Sequence, residues 1–302
     1  TIWLVTLQTV LDKGNNADWF NAPWICWTSA VSLVACVLFF HSQLTNKDSL
    51  IDLSVFKDRN FSAGTIVQVV IQAVLYASLA ILPQFLQSML GYTAFLSGFS
   101  MMPRGFGSMT AMLLTASLSN KVDDRILVII GLSLLGGASL TFGSLNLQIS
   151  SMNIAIPNFI MGIGMGLSMV PIMNLSVETL KNSQMTNATG IQNLLKNIGS
   201  AIGTSLVATM LTRFAQIHQY MLVGKMHELN PAFIERVQST AGALVQYTEM
   251  TVAQYMAQYS MYGQLVKQST LWAFIDSFRI FGLLCFVTIP LLFLIKKTKK
   301  SI

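Results

Sequence analysis

The sequence predicts an all-α membrane protein, and three observations carry that prediction. Hydrophobic residues make up 53% of the 302 residues and charged residues only 10%, with a mean hydropathy of +0.60. A soluble domain carries about 25% charged residues. Apolar runs long enough to cross a bilayer, which takes about 20 residues, recur along the chain. In the short connections between those runs, lysine and arginine fall almost entirely on one side, as membrane topology requires.

Taken in order, residues 1–11 (TIWLVTLQTVL) are the end of an apolar helix. Full spans are expected at 24–40, 62–86, 95–118, 126–146, 153–176, 188–212 and 271–295. Segment 12–23 (DKGNNADWFNAP) is a turn rich in Asn, Asp, Gly and Pro. Segment 41–61 carries mixed charges, 87–94 is short and uncharged, 119–125 (SNKVDDR) is a tight charged loop and 177–187 is polar. The chain opens on Thr1 inside an apolar run without a signal peptide, which reads as a C-terminal portion whose first helix is cut.

Lys47, Lys57, Arg59, Lys121, Arg125, Lys181 and the tail lysines 296, 297, 299 and 300 share one side, while the short connections on the other hold only Lys13. The tail is therefore expected in the cytoplasm and residues 12–23 outside. The net charge of +6 reflects this bias and implies no nucleic-acid partner. Cys26, Cys36 and Cys285 all sit in apolar runs without metal-ligand spacing, so no metal site is expected.

The long outer segment, about 213–270, reads as a helical hairpin. Asn230-Pro231 is an N-cap followed by a first helical residue. A second arm, Thr248 to Gln268, is rich in Tyr, Met and Gln and is expected to run into the last span. It suits either the lipid interface or a protein partner.

No enzyme signature is present: no HExxH, no GxSxG and no P-loop. Four ionisable residues fall within spans: Arg104, Lys196, Asp276 and Arg279. Such residues are costly in hydrocarbon and mark substrate or ion pathways by default. Arg104, in Pro103-Arg104-Gly105, lies roughly 13 Å into its span at about 1.5 Å per residue. It either meets protein, water or a ligand, or hydrogen-bonds carbonyls that Pro103 frees. Lys196 could snorkel to the cytoplasmic edge. Asp276 and Arg279, three residues apart, could pair with each other.

Small residues supply the second signal. Gly162, Gly164 and Gly166 in GIGMGLSMVP, and Gly199 and Gly203 in GSAIG, allow helices to approach closely in lipid. Pro103 and Pro171 add bends. Gln68 and Gln72, one turn apart, and Asn174 and Asn193 are either cavity-lining groups or interhelical hydrogen-bond partners.

Several segments together resemble a known family. They are LQTVLDKGNNADWF (7–20), IDLSVFKDRNFSAG (51–64), ILPQFLQSMLGYTAFLSGFSMMPRGFGSM (81–109), MGIGMGLSMVPIMNLSVETL (161–180), NATGIQNLLKNIGSAIGTS (187–205) and AFIDSF in the last span. In order and spacing they are similar to the C-terminal half of the EmrB/QacA-type drug:proton antiporters, fourteen-helix members of the major facilitator superfamily, with the EmrB branch most similar. The resemblance implies a fragment of a fourteen-helix transporter. Residues 1–42 would hold the end of one linker helix and a second linker helix, 43–61 a cytoplasmic loop, 62–295 a six-helix transport bundle with the outer loop 213–270 inside it, and 296–302 a basic cytoplasmic tail. Lys196 stands where relatives usually carry arginine. Asp276 matches an acid at the head of the last helix. LSNKVDDR, with Asp123 and Arg125, resembles a degenerate copy of the superfamily's loop between its second and third helices, in which Asn120 replaces the usual Asp.

The resemblance implies proton-coupled multidrug efflux across the bacterial inner membrane by alternating access. No cofactor beyond the proton motive force is implied. Implied partners are small amphipathic substrates, the lipid bilayer, a missing N-terminal half, a periplasmic adaptor and an outer-membrane channel. Arg104, Asp276, Gln68, Gln72, Asn174 and Asn193 would serve the cavity or coupling. Pro103, Gly105, Gly162, Gly164, Gly166, Pro171, Lys196, Gly199, Gly203, Arg279, Asp123 and Arg125 would serve gating or packing. Two alternatives stay open: a dedicated exporter of a metabolite, lipid or siderophore, and a non-transport membrane scaffold or enzyme subunit.

Overall fold

The computed structural model describes residues 2–45, 53–119, 121–227 and 229–296. Lys47, Asn120 and the tail residues 297–302 lie outside the described residues. Among the described residues the long elements are all helical: α1 (Ile2–Lys13), α2 (Pro23–Thr45), α3 (Arg59–Ser88), α4 (Ala94–Leu118), α5 (Asp124–Phe142), α6 (Ser151–Val177), α7 (Asn182–Val223), α8 (Pro231–Leu244) and α9 (Met250–Thr288). A 3-10 turn, Ile289–Leu294, follows α9 and contains Pro290, so the last helix stops short of the expected residue 295.

The helix starts follow capping chemistry. A side-chain oxygen that takes up an orphan N–H of the first turn is worth about 1 kcal/mol. Asp58 accepts from Phe61 N at the start of α3. Thr93 accepts from Leu96 N before α4, Asp123 from Arg125 N before α5, and Asn230 from Ala232 N before α8.

Among the described residues, six helices are long and apolar enough to cross a membrane: Pro23–Gln43, Arg59–Ser88, Asp124–Phe142, Ser151–Val177, Asn182–Val223 and the run Met250–Leu294. The sequence reading expected seven full spans, and the difference is α4. Its mean hydropathy is lowered by Arg104, Pro103 and a run of Gly, Ser and Thr. Its pattern is nonetheless that of a helix turned outward to lipid. Phe95, Phe99, Met102, Phe106, Met109 and Leu113, spaced three and four apart, are exposed, while Ser97, Arg104, Gly107, Ala111 and Thr115 are buried. An apolar stripe outside and a small, polar stripe inside suits a protein whose solvent is hydrocarbon.

The chain divides into two compact units, Thr1–Ala208 with Phe278–Ile302, and Thr209–Ser277. In the first, α6 is the central helix and packs against α4, α5 and α3. Glycine makes these contacts possible. A Cβ at Gly164 would stand 2.7 Å from Gly131 O on α5, and one at Gly162 would collide with Arg104 O on α4. On α7, a Cβ at Gly199 would stand 2.7 Å from Val69 O and one at Gly203 would strike Ala73 O, so α7 lies directly on the α3 backbone. Gly105 does not take part: a Cβ there meets nothing within 4 Å. The C-terminal part of α9 closes on α5, where Ser139 Oγ donates to Phe278 O at 2.8 Å and the Phe142 and Phe278 rings stand 5.2 Å apart.

Where α3 and α7 begin and α6 ends, Val55, Phe61, Ala188 and Ile191 form an apolar plug backed by Val177, Leu180 and Leu195. Beside it, buried Asn60 grips the peptide of Lys296 from both sides: Nδ2 donates to Lys296 O at 3.1 Å and Oδ1 accepts from Lys296 N at 2.7 Å. Asp58, besides capping α3, accepts from Thr179 Oγ1 at 2.8 Å.

The second unit holds the C-terminal part of α7, all of α8 and the first part of α9. The sequence reading ended the helix of 188–212 at its span, whereas α7 continues to Val223 and runs 42 residues, about twice what a crossing needs. The second arm does run unbroken into the last span, since α9 covers Met250–Thr288. Ala253, Ala257, Met261, Leu265 and Ser269, every fourth residue of α9, form its buried seam.

Candidate functional site

Arg104 is the best-defined polar centre of the first unit. It points from α4 between α3 and α6 and is only 5% exposed. Every donor group of its guanidinium that faces protein finds a partner. Nε donates to Asn158 Oδ1 at 3.2 Å, Nη1 to Ser78 Oγ at 3.0 Å and Nη2 to Met161 Sδ at 2.9 Å. The partners are themselves held: Asn158 Nδ2 donates to Ser100 O at 3.1 Å, and Ser78 Oγ donates to Leu75 O at 2.7 Å. The guanidinium thus ties three helices through neutral groups, and among the described residues no carboxylate joins it. The sequence reading allowed Arg104 to bond carbonyls freed by Pro103; its side chain bonds side chains instead.

Local sequence explains the placement. Gly107, Gly162 and Gly166 let α4 and α6 touch backbone to backbone. A Cβ at Gly107 would collide with Phe159 O, and one at Gly166 would stand 2.7 Å from Ser108 O. That closeness brings the Arg104 stem within reach of Asn158 and Met161 and removes it from lipid. Pro157 on α6 and Pro103 on α4 flank this contact in sequence, and Pro171 lies further along α6.

The other predicted residues divide into buried and exposed groups. Gln68 is buried and Gln72 half-buried on α3, and the Oε1 of each lacks a partner. Asn174 on α6 and Asn193 on α7 are exposed, and Lys196 is half-exposed. Asn197, one turn beyond Asn193, lines a cleft of about 510 Å³ between α7 and α1, whose wall is otherwise mostly Leu, Val and Ile. Asp123 caps α5, and Arg125 has one buried guanidinium nitrogen, Nη2, without a partner. Arg279 Nε donates to Gly143 O at 3.0 Å. In the second unit, Asp276 Oδ2 lies 2.7 Å from His218 Nε2. Asp276 and Arg279 therefore each have a partner off their own helix.

Sequence reasoning missed Ser78, Asn158, Met161, Gln192 and His218. Asn158 carried a signal, a lone amide between Pro157 and the glycine run. Gln192, buried with neither end of its amide bonded, had one as well, since it lies two turns from Gly199 on the same helix face. Ser78 had none.

The profile of the Major Facilitator Superfamily matches residues 16–204, more than half of the chain and a range that contains the whole Arg104 centre. The chain belongs to the Major Facilitator Superfamily. Several of its curated relatives are named EmrB or EmrY. It is 29% identical over 232 residues to the probable multidrug resistance protein EmrY of Escherichia coli K12, covering 75% of this chain and 44% of that one. It is 29% identical over 300 residues to the colistin resistance protein EmrB of Acinetobacter baumannii, covering 99% and 58%. It is 29% identical over 212 residues to the fatty acid resistance protein FarB of Neisseria gonorrhoeae, covering 70% and 42%. The chain spans about half the length of the curated relatives it matches. As a major facilitator protein with six membrane-length apolar helices among the described residues, it is a multi-pass membrane protein of a transporter superfamily.

Proposed function

We propose that this chain supplies the C-terminal bundle of a proton-coupled multidrug exporter of EmrB type, working by alternating access in the bacterial inner membrane with its C-terminus in the cytoplasm. In this mechanism two halves rock about a midplane cavity, so each half must move as one body. The observation that carries the reading is the Arg104 centre. A charge buried at membrane depth is costly, and here it is spent on tying α3, α4 and α6 together. Arg104 is enclosed and its donors are taken, so it serves as the lock of the moving body and not as a substrate ligand.

The cavity side is the polar, exposed face that these apolar helices carry. Asn193, Asn197 and Asn174 do not suit a hydrocarbon surface. A second half, supported by relatives about twice as long, would cover them and create an amphipathic cavity. Lys196 on the same stretch disfavours cationic substrates and suits amphipathic neutral or anionic ones. A periplasmic adaptor and an outer-membrane channel are the partners that the EmrB resemblance implies. The dedicated export of a lipid-like compound is the second reading, favoured by the relative named for fatty acid resistance.

The test is transport by the full-length protein in proteoliposomes under an imposed pH gradient. Dye efflux that collapses with the gradient supports the reading. Transport indifferent to the gradient, or none with any amphipathic compound, refutes it.

A further inference from the structure

In the second unit, one contact ties two long helices through titratable groups. His218 stands on the outer part of α7 and Asp276 near the start of the last apolar stretch, and their Nε2 and Oδ2 atoms are 2.7 Å apart. Their side chains are 24% and 30% exposed, so the pair is open on one side. The Trp272 ring, one turn before Asp276, stands 6.1 Å from the imidazole. We propose that His218 is the positioning residue for Asp276, and that the two bind and release one proton as a unit at the entry to the last helix. This rests on the proton-coupled reading given above.

The proton balance follows from the geometry. A nitrogen and a carboxylate oxygen at 2.7 Å share a hydrogen. With Nε2–H donated to Asp276, the exchangeable proton is the one on Nδ1. Loading that nitrogen gives an imidazolium–carboxylate pair of zero net charge, and unloading it leaves a neutral imidazole still bonded to the carboxylate, with one net negative charge. The hydrogen bond persists through both states while the charge changes by one. Histidine is the side chain whose charge changes in the physiological pH range. Charged neighbours along the two helices are Arg213 on α7, with Lys267 and Arg279 on α9. From α8 come Glu235 and Arg236, and Arg236 shares a groove with Gln264 and Gln268, two turns outward from Asp276.

The contact is separable from folding. One residue on, Gln219 Nε2 donates to Tyr262 Oη at 2.9 Å and ties α7 to α9 without a titratable proton at work. His218→Gln therefore keeps the helices together and a donor towards Asp276, but cannot take up a proton.

Two readouts test the proposal in the full-length protein. The first needs no transport. Imidazolium quenches a nearby indole, so the Trp272 emission, taken as wild type minus Trp272→Phe, should rise about two-fold between pH 5 and pH 8. The rise should vanish in H218Q, and D276N should change it. The second is gradient-driven dye efflux: H218Q should be at least five-fold slower, with its dependence on outer pH flattened and the apparent KM for dye unchanged. A Trp272 signal flat in wild type, or unaltered in H218Q, overturns the proposal. So does H218Q transport with the wild-type pH profile. Wild-type transport without any gradient dependence would instead overturn the proton-coupled reading, and the fluorescence alone would then decide whether the pair binds a proton.

Discussion

Replacing Arg104 by alanine perturbs the bundle at its most connected side chain. Ser78 Oγ keeps its bond to Leu75 O, and Asn158 Nδ2 keeps its bond to Ser100 O. Asn158 Oδ1 loses its donor in a buried site, which costs about 1–3 kcal/mol. Two buried methylenes of the arginine stem are lost as well, at about 0.8 kcal/mol each. Against this stands the relief of burying a cation among neutral groups. We expect Arg104→Ala to destabilise the bundle by about 2–4 kcal/mol. Arg104→Met, which refills the space without the charge, should cost about 1 kcal/mol less. Because the arginine and Asn158 form one network, their cycle should not be additive. Arg104→Ala, Asn158→Ala and the double variant should show a coupling of at least about 1 kcal/mol. The assay is reversible unfolding in mixed micelles, followed by intrinsic fluorescence. A coupling below about 0.5 kcal/mol, within the scatter of independent sites, would refute the three-helix lock.

Two further outcomes follow from particular contacts. Gly162→Val and Gly203→Val place carbon against Arg104 O and Ala73 O and should abolish the folded, monodisperse species on size exclusion. Gly105→Ala, where the space is open, should leave stability unchanged or raise it by about 0.5–1 kcal/mol, the helical advantage of alanine. Asn60→Ala removes both bonds to the Lys296 peptide; amide exchange over 289–296 should rise at least ten-fold, while exchange in the core of α6 stays as in the wild type.

The fold class was legible because the hydrocarbon solvent leaves a strong mark: apolar runs of the right length and lysines on one side. The tight contacts of Gly162, Gly199 and Gly203 were legible for the same reason, since small residues in a span have few uses other than close approach. Gly105 fitted that pattern by composition but lies on the other face of α4, which only the helix register against α6 decides. The length of α7 was hidden because its C-terminal part is polar enough to read as loop, although it continues the same hydrogen-bonded helix, whereas the run of α9 into the last span was legible in its sequence. The pairing of Arg104 with its partners was not legible, for a topological reason, even though Asn158 stood out as a lone amide. Ser78 and Asn158 lie 26 and 54 residues away, and ordinary polar residues in spans are common. Asp276 was found from its depth, but the arginine three residues on hid the histidine that holds it.

The most direct test of the central claim is gradient-driven efflux by the full-length protein carrying Arg104→Lys, measured beside a count of correctly inserted protein. Lysine keeps the charge but lacks the fork that reaches Ser78, Asn158 and Met161 together. The account predicts wild-type insertion with efflux lowered at least ten-fold. Efflux equal to the wild type would show that charge alone suffices, and would contradict Arg104 as the lock that makes the bundle move as one body.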